Sequence, residues 1–151
     1  LARATKALPF VTVYCDIEEC QEFLSPSIIS VHSFRPDMIV VREKEIFVME
    51  LTVGFEPNMQ KNALRKQQRY KPLIDSLSKT QSVHFLNLSV GAAGIISNDA
   101  ANIFNWMKNL GLSQKASEYL IRKTINICIR TTYYLFCRRD KPWETPKLLS
   151  W

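Results

Sequence analysis

The sequence predicts an α/β domain, a mixed β-sheet with helices packed against it. Three observations lead there. Short runs rich in β-branched and aromatic residues occur at 10–16 (FVTVYCD), 38–41, 46–53 (IFVMELTV) and 83–90 (VHFLNLSV). Other stretches carry apolar residues at helical spacing. The two kinds of segment follow one another as helix, strands, helix, strand, helices, an order that a sheet covered by helices satisfies.

Taken in order, residues 1–8 form a short helical run ended by Pro9, and 10–16 a strand. Residues 17–33 read as a loop, with an extended piece at 28–31. Arg35-Pro36-Asp37 introduces the strand 38–41, and Arg42-Glu43-Lys44-Glu45 is a polar turn into the strand 46–53, so the two strands form a hairpin. Gly54-Phe55-Glu56-Pro57-Asn58 breaks the strand, and Asn58 is placed to cap a helix starting at Met59. Met59, Ala63, Tyr70, Leu73, Ile74 and Leu77 give that helix its apolar spacing, and Pro72 is expected to kink or split it. After the strand 83–90, Gly91-Ala92-Ala93-Gly94 is a tight turn and Ile95-Ile96 a further short strand. One helix is expected from Ala100 to Leu110, stopped by Gly111, and a longer one from Ser113 to about Arg138.

At 151 residues, with 46% apolar and 23% charged residues, the chain has the length and composition of one globular domain. Its core is expected at about 10–96, followed by a helical extension at 98–139 and a tail at 140–151. Disordered and fibrous classes are excluded by this composition. No apolar run approaches the ~18 residues needed to cross a bilayer, and no signal peptide pattern is visible. The chain opens on Leu1, inside a helical run, and reads as a piece of a longer protein. The four cysteines form no C-x-x-C pair and stand apart from both histidines, which excludes a zinc pattern and suggests reduced core thiols in an intracellular protein.

The formal charge of +6 points toward a polyanionic partner. Residues 59–71 carry five basic side chains (Lys61, Arg65, Lys66, Arg69, Lys71) and no acid, whereas 16–56 are rich in acids. A basic helix without acids forgoes the usual i, i+4 ion pairs, which favours phosphate contact.

Glu50 lies in an otherwise apolar strand. A buried carboxylate without a partner costs several kcal/mol, so Glu50 needs a compensating group. Ile46, Val48, Glu50 and Thr52 share one face by strand alternation. A hairpin brings Asp37 and Glu50 together near one end of the sheet, where two carboxylates repel unless a proton or cation separates them. Mg²⁺ suits such a pair.

Pro36-Asp37 followed by Glu50-Leu51-Thr52 resembles the PD-(D/E)XK signature of restriction-endonuclease-like nucleases. The strings VYCD, RPDMIVV, VMELTVGFEPN, RKQQRY and VGAAG resemble, more narrowly, the nuclease-like domain of eukaryotic retroelement polyproteins that also carry a reverse transcriptase. The resemblance implies a restriction-endonuclease-like mixed sheet flanked by helices, with Asp37 and Glu50 binding Mg²⁺ or Mn²⁺ from adjacent strands. It implies hydrolysis of DNA during element insertion, a nuclear location and covalently linked polyprotein domains. Thr52 stands where the family usually has a lysine, and is ordinary in the retroelement group. Lys66 and Tyr70 resemble the Gln-x-x-x-Tyr helix motif of some branches, with Lys in place of Gln, so Lys66 is expected to serve as the migrated lysine, with Lys61 and Arg65 as alternatives. Glu56 is a candidate third, outer carboxylate, and Lys61, Asn62, Arg65, Arg69 and Tyr70 are candidate nucleic-acid contacts. RNA remains an alternative substrate, and a homodimer would serve double-strand cutting. A degenerate, binding-only module is the alternative function.

Other residues read as structural: Asp16 near the acidic end of the sheet, Arg35 beside a carboxylate or phosphate, Gly91 and Gly94 in turns, and His84 as a satisfied core residue. Tyr133 to Phe136 are expected in core packing, with Arg138 and Arg139 as a wet basic end; stacking on unpaired bases is the alternative.

Overall fold

The computed structural model describes residues 1–15, 36–96 and 100–140. Asp16, Cys20, Arg35, the extended piece at 28–31 and the tail from 141 onward lie outside the described residues. Among the described residues four strands form one sheet in the order β1 (Thr12–Cys15), β2 (Met38–Arg42), β3 (Glu45–Gly54), β4 (Ser82–Gly91). β1 and β2, and β2 and β3, pair antiparallel, whereas β3 and β4 pair parallel. A parallel pair needs a crossover, and α2 (Met59–Leu77) supplies it. The other α-helices among the described residues are α1 (Ala2–Lys6), α3 (Ala100–Leu110) and α4 (Gln114–Arg138).

Alternation along the strands divides the core in two. Val13, Met38, Val40, Phe47, Met49, Leu86, Leu88 and Val90 face α1, α3 and α4, where Ala2, Ile103, Trp106, Met107, Leu110 and Cys128 complete the larger cluster. Ile39, Ile46 and Val48 face the other way with Val83, Phe85 and Leu77 of α2. His84 is the satisfied residue the sequence suggests: it stacks on Phe47 at 4.5 Å, with Nε2 3.3 Å from Glu45 Oε1. Its backbone carbonyl accepts from the Trp106 indole at 3.0 Å.

α3 ends as expected at Gly111, whose φ of 102° is open to glycine at little cost. Gly111 N donates to Lys108 O and Leu112 N to Met107 O, a Schellman closure. The next two carbonyls are taken by Arg42, which donates to Leu110 O at 3.1 Å and Asn109 O at 2.8 Å. The same guanidinium pairs with Glu45 and holds its carboxyl below the usual range. Ser113 caps α4 through its side chain, accepting from Ala116 N.

Several expectations are corrected. The hairpin turn is Glu43-Lys44 alone, because Arg42 and Glu45 pair across the ladder and Glu43 takes the left-handed conformation at φ 51°. Asn58 makes no side-chain cap; a 3₁₀ turn, Glu56–Asn58, leads into α2 instead. Pro72 does not split α2, since Pro72 and Gln68, whose carbonyl it leaves unpaired, are both exposed to water. Ile96 makes one bridge to Val90 rather than a strand. Tyr133 and Phe136 are exposed, not core, because they turn away from the side on which Leu120, Ile121 and Cys128 pack. Of the thiols described, Cys128 is buried, with its pKa raised by burial, but Cys137 is exposed.

Candidate functional site

The β2–β3 register sets Met38 opposite Met49, and one step further along sets Asp37 opposite Glu50. Asp37 N donates to Glu50 Oε2 at 3.3 Å, and Leu51 N donates to Asp37 Oδ2 at 2.7 Å. Each carboxylate is therefore held by the neighbouring strand's backbone. The compensating group that Glu50 requires is Lys66, whose Nζ lies 2.5 Å from Glu50 Oε1 and 3.0 Å from Leu51 O. This is a sheltered pair: the Glu50 side chain is 7% exposed and that of Lys66 18%.

The crossover helix delivers Asn62, Lys66 and Tyr70 to the sheet from one side, as their i, i+4, i+8 spacing requires. Tyr70 is fully buried, its ring 6.0 Å from that of Phe85. Its hydroxyl pKa is raised, first by burial, then by a hydrogen bond to the Glu50 carboxylate and by that carboxylate's charge, with Asp37 adding to the effect. Tyr70 thus stays protonated and donates to Glu50. Asn62 is half-buried beside Gly54, whose missing Cβ would stand 3.9 Å from Asn62 Nδ2.

Two further residues belong here that sequence reasoning missed. Asn87 and Ser89 of β4 lie opposite Glu50 and Thr52. Asn87 Nδ2 donates to Ala63 O at 2.9 Å, which ties α2 to the sheet. Thr52 Oγ1, Asn87 Oδ1 and Ser89 Oγ are buried without a protein hydrogen-bond partner among the described residues. Nearly all buried polar atoms in proteins are paired, so three orphaned oxygens beside Glu50 mark a surface suited to water or a polar ligand rather than to apolar packing. The available signal was the alternation in VHFLNLSV, where two polar residues share one face of an apolar strand.

Other candidates lie apart. Glu56 Oε1 accepts from Ala93 N at 2.8 Å, a bond that lowers its pKa, and packs where a Cβ on Gly91 would sit. It closes the turn after β4 and does not extend the acidic pair: among the described residues no three His, Cys, Asp or Glu side chains converge on a metal position. Lys61, Arg65 and Arg69 are exposed on the outer side of α2, with the Arg69 guanidinium 5.8 Å from the Tyr70 ring centre. The basic run therefore divides, with Lys66 turned inward and the rest toward solvent.

The donor set fits a hard divalent cation in kind. Mg²⁺ is commonly held by one or two carboxylates, with waters and phosphates completing the shell. Glu50 Oε1 and the Leu51 carbonyl already converge on one cation, the Lys66 ammonium. Compared with known proteins, the chain matches no family model, no curated protein and no solved structure. No helix among the described residues is long and apolar enough to cross a membrane.

Proposed function

We propose that this chain is a nuclease domain of the restriction-endonuclease-like class that hydrolyses DNA phosphodiester bonds with Mg²⁺ or Mn²⁺. The supporting observation is the meeting of Asp37 and Glu50 from adjacent strands with Lys66 from the crossover helix. In this reading Asp37 and Glu50 hold the metal. When bound, the metal supplies an acidified water and offsets charge on the scissile phosphate. Lys66, exchanging Glu50 for substrate, orients the attacking water or stabilises charge developing on the phosphate. Tyr70 keeps Glu50 in place by donating to it. Thr52 offers a hydroxyl but no charge. Lys61, Arg65 and Arg69 contact phosphates from the outer side of α2, with Asn62 nearer the sheet. Action in a nucleus and within a reverse-transcriptase polyprotein is part of the same proposal, on the strength of the sequence resemblance, and a homodimer would serve double-strand cutting.

One observation favours a second reading, a binding-only module. The chain supplies its own cation to Glu50 and Leu51 O, which neutralises the site without metal. Supercoiled plasmid and single-stranded DNA incubated with Mg²⁺, Mn²⁺ or EDTA separate the two. The nuclease reading expects cutting that needs metal and is lost in Glu50→Gln. Salt-sensitive binding without cutting supports the module, and cutting by Glu50→Gln overturns the site.

A further inference from the structure

α4 carries a second surface, which the acidic site does not use. Its inward side packs on the larger core cluster through Leu120, Ile121 and Cys128. On the opposite side lie Tyr119, Arg122, Lys123, Asn126, Arg130 and Tyr133, at intervals of one, three and four that line one helical face. The stripe spans about 21 Å at the helical rise of 1.5 Å per residue. The first five of these residues line an open cavity of about 440 Å³. Tyr119 and Tyr133 are 60% and 68% exposed, an unusual state for two large rings on one face. Lys123 Nζ stands 5.8 Å over the Tyr119 ring. The sequence holds no acid from Tyr119 to Arg139; Glu118 lies at the flank, 3.4 Å from Arg122.

We propose that this face of α4 binds single-stranded DNA. Three cations with no interleaved acid complement a phosphodiester backbone. Exposed tyrosines at both ends of the stripe provide flat faces on which unpaired bases stack, which a duplex, with its bases already stacked inside, cannot use. α4 packs on the sheet face opposite α2, so the bound strand lies on the far side of the sheet from Asp37 and Glu50. The surface therefore holds a strand and does not cut it. The choice of DNA over RNA rests on the nuclease reading above; the stacking and charge argument does not.

Fluorescence anisotropy of labelled oligonucleotides in EDTA tests this without cutting. The probes are single-stranded DNA, the same sequence as duplex, and the same sequence as single-stranded RNA. Single-stranded DNA is expected to bind tightest. Tyr119→Ala is expected to weaken it about tenfold, the loss of roughly one stacked base, and Tyr119→Phe to restore it. Replacing Arg122, Lys123 and Arg130 by Ala is expected to lower the slope of log K against log salt by about 2. Tyr119, Arg122 and Arg130 are exposed and Lys123 is half-buried, and circular dichroism of each variant checks that folding is retained. No single-strand binding, unchanged binding in both sets of variants, or tighter binding of duplex or RNA overturns the proposal. A chain that binds in this way but never cuts overturns the nuclease reading alone. A chain that cuts, with strand binding indifferent to α4, overturns this one alone.

Discussion

Lys66→Met removes the ammonium that Glu50 relies on and keeps most of the apolar stem. Breaking a buried ion pair by deleting one partner costs about 3–5 kcal/mol, because the other charge is left uncompensated. Glu50 is nearly enclosed but Lys66 is 18% exposed, and Glu50 keeps the Asp37 amide and the Tyr70 hydroxyl. The lower end applies, about 3 kcal/mol. For a domain of this size that is a drop of about 6–12 °C in Tm. Urea unfolding followed by tryptophan fluorescence, to which Trp106 buried in the larger core contributes, measures it. The double variant Lys66→Met/Glu50→Gln is expected to recover about 2 kcal/mol, since a neutral amide needs no counter-charge. A cost below about 1 kcal/mol, the range of solvated surface pairs, refutes the claim that Lys66 compensates a buried carboxylate. So does a double variant no more stable than the single one.

Other outcomes follow from the same geometry. Because the folded pKa of Tyr70 lies above the unfolded value of 10.0, its contribution is complete below that pH and is lost as pH rises past it. Urea midpoints should therefore fall above about pH 10, less steeply in Tyr70→Phe. If the acidic pair holds a divalent cation, millimolar Mg²⁺ raises the Tm of the native chain and not of Asp37→Asn; equal shifts in both place the ion elsewhere. Pro72→Ala restores an amide to Gln68 O in an exposed helix interior and should stabilise by about 1–3 kcal/mol, with unchanged helicity by circular dichroism.

How far this was legible depended on the range of the interactions involved. Asp37 and Glu50 could be paired on paper because a hairpin is local and its register follows from two apolar runs and a short turn. Lys66 and Tyr70 were legible as helix neighbours four apart, facing the side the apolar residues define. Asn87 and Ser89 were not, because a parallel pair is set by a crossover whose register no short motif encodes. Pro72 was misjudged because the penalty of a lost hydrogen bond depends on whether water reaches the freed carbonyl, and exposure is a tertiary property. The aromatic end of α4 failed for a related reason: apolar spacing does not say which side of a long helix finds a partner.

Asp37 and Lys66 reach Glu50 through different kinds of chain connection. Asp37 precedes it by 13 residues across a hairpin, a contact that forms in microseconds. Lys66 comes into place only when α2 lies down and β4 finds its parallel partner, a non-local and slower event. In the interval the chain holds two carboxylates side by side with no ammonium between them. If the Lys66 contact is absent from the folding transition state, loss of its amine is felt mainly as faster unfolding. The residue that neutralises the finished site is thus held there by the least local pairing in the sheet.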